Sequence, residues 1–86
     1  MPYAVKTFTA PDAAVILCKD EKELAEVNAK TISGLGFSFS DAVLFALESA
    51  IWIASDAPTL SRFPLTIYRL TEEEYDKCQS VNLKYL

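Results

Sequence analysis

Residues 42–54 are apolar except for Glu48 and Ser49, and no other segment constrains the possible folds so strongly. The run is shorter than the roughly 20 apolar residues that a membrane span requires, so protein must cover its side chains. Ser38 or Ser40 can cap a helix here, with Asp41 in a first turn where negative charge suits the helix dipole. The segment therefore reads as a core helix running to about Ala54 and broken at residues 56–58. A chain of 86 residues has room for one hydrophobic core. Residues 1–86 are accordingly expected to form a single domain around this helix.

The flanking segments supply a sheet and two further helices. Residues 3–9 alternate imperfectly between apolar and polar side chains and read as a strand, turned by Ala10, Pro11 and Asp12. Residues 13–18, with branched Val15 and Ile16, read as a strand buried on both faces, hence a central one. Asp20 followed by Glu23 resembles a capping arrangement that starts a helix near Glu21. Its Leu24, Val27, Thr31 and Ile32 fall near one face, and Gly34 supplies a stop. Residues 60–63 are expected as an irregular turn before Pro64, and residues 65–70 as a strand. Thr71 with Glu74 forms a capping box for a short third helix carrying Tyr75 and Cys78, and Val81, Leu83 and Tyr85 alternate as a closing strand. The expected order is β-β-α-α-β-α-β, an α+β domain whose sheet is covered on at least one face by helices.

Charge and residue chemistry narrow the function. Twelve acidic residues against eight basic ones leave a net charge of −4, which disfavours a protein that neutralises phosphates, so direct nucleic-acid or anionic-membrane binding is not expected. Residues 1–10 lack the continuous apolar stretch of a secretory signal, and a cytoplasmic location is expected. Cys18 and Cys78 are too far apart for a redox or zinc motif and read as core cysteines. There is no histidine, which removes the commonest general base and metal ligand at neutral pH. Gly34-Leu35-Gly36 follows a helix rather than a strand and reads as a helix cap and turn, not a phosphate loop, and Phe37 and Phe39 are expected to anchor that turn in the core. No catalytic residue, cofactor or metal site is expected.

Two rows on the apolar helix are candidate contact surfaces. Ala42, Ala46, Ala50 and Ala54 recur every fourth residue and form a ridge of small side chains, which either packs inside the fold against the sheet or the first helix, or crosses the same ridge of a second copy. On the opposite face, Asp41, Phe45, Glu48, Trp52 and Ser55 share a narrow sector. A face polar at three positions should meet water, so Phe45 and Trp52 are expected to be partly exposed, as aromatics at a partner surface are. The acids at residues 20–26 and 72–76 sit in first helical turns, where they stabilise the helix locally; gathered on one surface, they would instead imitate nucleic acid.

The functional expectation is a non-catalytic protein-binding module that regulates or inhibits a larger protein, with Asp41, Phe45, Glu48 and Trp52 as the contact. In size and charge, though not in any motif, such a chain resembles the accessory proteins with which phages and mobile elements inhibit host machines. The main rival is a self-associating subunit, a homodimer through the alanine ridge. A small acidic mimic of nucleic acid ranks after it.

Overall fold

The computed structural model describes residues 1–8 and 15–82, with side chains through residue 79. Among them are four strands, β1 (Tyr3–Thr7), β2 (Val15–Cys18), β3 (Thr59–Arg62) and β4 (Leu65–Arg69), and three helices, α1 (Glu21–Gly34), α2 (Phe39–Ile53) and α3 (Glu72–Asn82). The strands form one antiparallel sheet in the order β2-β1-β4-β3, so the class is α+β.

The helix starts follow from short-range hydrogen bonds. The Asp20 carboxylate accepts from the Glu23 amide at 2.9 Å. Ser38 Oγ accepts from the Asp41 amide at 3.2 Å while the Asp41 carboxylate accepts from the Ser38 amide at 3.3 Å, a reciprocal capping box. Thr71 and Glu74 repeat the exchange at the start of α3. At the other end of α1, Gly34 is the last helical residue, and Gly36 takes the left-handed conformation with φ of 88°, which glycine adopts without a Cβ clash.

Three expectations are overturned. Residues 59–62 are not a turn but strand β3, paired Thr59↔Tyr68 through Arg62↔Leu65 with β4; the sequence TLSR carries little strand pattern and becomes a strand because the edge of β4 is there to pair with. The turn between them contains a cis Phe63–Pro64 bond. β2 lies at an edge of the sheet rather than in its centre, with Ile16 40% exposed, since an apolar run signals burial but does not choose its neighbours. α3 continues through Asn82, so Val81 and Asn82 are helical rather than part of a closing strand. Leu83 and Tyr85, like the turn at Ala10, Pro11 and Asp12, lie outside the described residues.

Register aligns Tyr3 with Cys18 and Arg69, and Val5 with Ile16 and Ile67. Residues opposite each other share a face, and Tyr3, Val5, Cys18, Leu65 and Ile67 pack from the sheet against Leu24 and Ile32 of α1 and Phe45 and Trp52 of α2. This core fixes which side of α2 turns inward.

Candidate functional site

The row expected to meet a partner divides in two. Phe45 and Trp52 are only 3% and 5% exposed and belong to the core, which overturns their expected exposure. The Trp52 ring lies 5.8 Å from that of Tyr3. The physical reason is volume: the space between helix and sheet must be filled to near-crystalline density, and on α2 the large rings fill it where alanines would leave voids. The two acids of the row flank this inward face and are engaged locally. Asp41 completes the capping box, and Glu48 pairs with Arg62 on β3. Asp41 and Arg62, with Phe37 and Phe63, line a small recess of about 60 Å³.

Arg69, unmarked by any sequence motif, holds the end of α2. Its Nη2 donates to the carbonyls of Trp52, Ile53 and Ser55 at 2.6, 3.1 and 2.8 Å, and its Nε donates to that of Ala57 at 2.9 Å. The guanidinium also lies over the Trp52 ring, 4.4 Å from its centroid. The last turn of α2 has no basic residue of its own, and β4 supplies across the fold the cation that terminal carbonyls favour. The only trace of this in the sequence is a lone arginine at the end of an apolar strand.

With the rings inward, α2 turns a different surface outward. At roughly 100° per residue, Ala46, Phe39, Ala50, Val43, Leu47, Ile51 and Leu44 follow one another around the outer arc, interrupted only by Ser40. Phe39 is 84% exposed, Ile51 72%, Leu47 58%, Leu44 52% and Val43 41%. Phe39 therefore does not anchor the preceding turn, whereas Phe37 packs partly against the core. A helix apolar all round is ordinarily buried all round, and the described residues cover this one on one side only. The signal was present in the sequence as the absence of any charged residue from the outer arc.

The alanine ridge lies between the two sides. Ala42 packs against the core, while Ala46 and Ala50 remain exposed and, with Ala25 and Ala29 of α1, line a groove of about 160 Å³ between the helices. Asn28, 6% exposed, also lines it, and its Oδ1 has no hydrogen-bond partner among the described residues. Buried oxygens of this kind are normally paired.

Other sequence candidates fall into structural positions. Cys18 is fully buried, and burial first, then the nearby Glu23 and Asp20, push its thiol up to about 11, away from nucleophilic reactivity at neutral pH. Acids of the first cluster share a recess with Lys19 and Lys22, and Glu73 of the second pairs with Lys77 one turn on. Among the described residues no group of three or more Cys, Asp or Glu side chains is gathered for a metal, and no helix is long and apolar enough to cross a membrane. No family model matches the chain, and searches of curated proteins and of solved structures return no match.

Proposed function

We propose that this chain is a non-catalytic protein-binding module that regulates a larger protein by docking on it, and that its contact surface is the outer face of α2. The observation that carries this reading is the exposed arc of Phe39, Val43, Leu44, Leu47 and Ile51. At roughly 150–250 Å² for a fully exposed large side chain, these five present on the order of 600 Å² of mostly apolar surface, the upper end of what a monomer shows and a size that is often functional. Apolar, charge-depleted surface is the composition of interface cores. The only charged residues of α2 are Asp41 and Glu48, and an interfacial membrane helix would instead carry lysine or arginine beside its apolar face.

The test is a photo-crosslinking amino acid placed at Ile51 in the full chain, compared with the same group at exposed Glu73 on α3, in native lysate. Crosslinks to protein at position 51 and not at 73 are expected, and they should vanish when Leu47→Glu is added. Equal labelling at both positions would sink the reading. So would cosedimentation with phosphatidylcholine–phosphatidylglycerol vesicles that Leu47→Glu abolishes, because it would assign the face to lipid.

A further inference from the structure

We infer that in the free protein the outer face of α2 is occupied by the same face of a second copy, with each copy seating large side chains in the α1–α2 groove of the other. The inference rests on reading this face as a protein contact and names its first occupant. Its basis is self-complementarity. A two-fold interface requires that residue i of one copy meet residue j of its partner while j meets i, so one surface must hold both the projecting and the receiving half. Here it does. The projecting half is the row Leu44, Leu47 and Ile51, each more than half exposed. The receiving half is the groove walled by Ala25, Ala29, Ala46 and Ala50. The two rows are neighbours on one helix, separated by the line through Val43 and Ala54. A two-fold axis along that line sets the large row of each copy against the small row of the other.

Size, shape and charge agree with this arrangement. The groove, at about 160 Å³, compares with the roughly 150 Å³ cavity that admits benzene, so it has room for a leucine or isoleucine side chain. Alanines spaced every fourth residue let helices interdigitate by their i±4 ridges at close approach. The five large side chains together with the exposed alanines bring the face to about the 800 Å² per partner of a standard interface. Each copy carries a net charge of −4, yet no ionisable residue lines the groove or interrupts the outer arc, so like charges do not meet in the seam. A larger target using the same face must displace the second copy, which makes target binding weaker as the chain's own concentration rises.

The test is sedimentation velocity of the full chain from about one to several hundred micromolar, spanning the affinities of ordinary reversible dimers. Twice the chain mass is expected in the upper range. Leu47→Glu should weaken association at least about 100-fold, as burial of an unpaired carboxylate demands, with an unchanged far-ultraviolet circular dichroism spectrum. Ile51→Lys is the second variant should Leu47→Glu not fold, and Ala50→Leu, which fills the groove, should also dissociate the pair. A dimer indifferent to all three folded variants would overturn the inference, as would a monomer at every concentration. The crosslink at position 51 separates the two failures. A monomer that still crosslinks there to a different protein refutes the second copy but leaves the contact surface standing, whereas a monomer with no such crosslink refutes both.

Discussion

At the scale of single residues, the rings of Phe45 and Trp52 and the exposed apolar side chains of α2, Phe39 among them, have opposite roles although they lie along one helix. Trp52 is 5% exposed, its ring tilted against that of Tyr3 and lying beneath Arg69, so Trp52→Ala removes a large buried volume. A loss of about 3–5 kcal/mol is expected, enough to unfold much of a small domain whose total stability is of the order of 5–15 kcal/mol. Leu47, 58% exposed, leaves no comparable void, and its substitution should change the stability of the monomer by about 0.5 kcal/mol or less. Urea denaturation of the two variants checks the contrast; a Trp52→Ala variant as stable as the parent would place the ring outside the core. Asp41 and Glu48 belong to this scale as well. One serves the capping box, and the other forms a half-exposed pair with Arg62, an interaction worth no more than about 1 kcal/mol.

At the scale of elements, α2 is held at its two ends by different means. Its start is capped from within by Ser38 and Asp41, and its end from β4 by Arg69, whose guanidinium collects the carbonyls of Trp52, Ile53, Ser55 and Ala57. Arg69→Met keeps much of the stem and removes every donor, leaving those carbonyls without their charged partner. A destabilisation of about 2–3 kcal/mol is expected, together with faster hydrogen exchange at amides in the last turn of α2 than at its first. Unchanged exchange at that end would show that the carbonyls do not depend on Arg69. Because β4 is paired on both sides, with β1 and β3, this cap also ties the orientation of α2, and therefore of its outer face, to the centre of the sheet.

At the scale of the whole molecule, burial of ionisable groups in the core makes stability depend on pH on the alkaline side. The Cys18 thiol, ordinarily near 9.0, is pushed up to about 11, mainly by burial and then by Glu23 and Asp20. Between these values the unfolded chain releases the proton while the folded chain keeps it. The unfolded state then binds fewer protons, so stability falls as pH rises. The contribution is complete below about pH 9 and is lost through about pH 11, a change of about 2–3 kcal/mol. Burial and Glu21 also raise Tyr3 above its ordinary 10.0, against the opposing pull of Arg69, which extends the decline in the same direction. Urea midpoints measured from pH 7 to 11 should therefore drop above pH 9, with a shallower drop in Cys18→Ala; parallel profiles for the two proteins would exclude the thiol as the source.

The sequence by itself determined whatever depends on residues close along the chain. The caps at Asp20, Ser38 and Thr71 were legible because donor and acceptor lie three residues apart, and the α+β class followed from the alternation of apolar patterns. Tertiary structure alone decided the order β2-β1-β4-β3, the strand state of residues 59–62 and the reach of Arg69 to carbonyls as many as 17 residues away. It also decided the azimuth of α2. Periodicity orients a helix when polar and apolar rows differ, but α2 is apolar on nearly every row, so its pattern identifies the rows without stating which of them meets the sheet. Packing volume settled that question in favour of Phe45 and Trp52, and turned Leu47 and Ile51 outward.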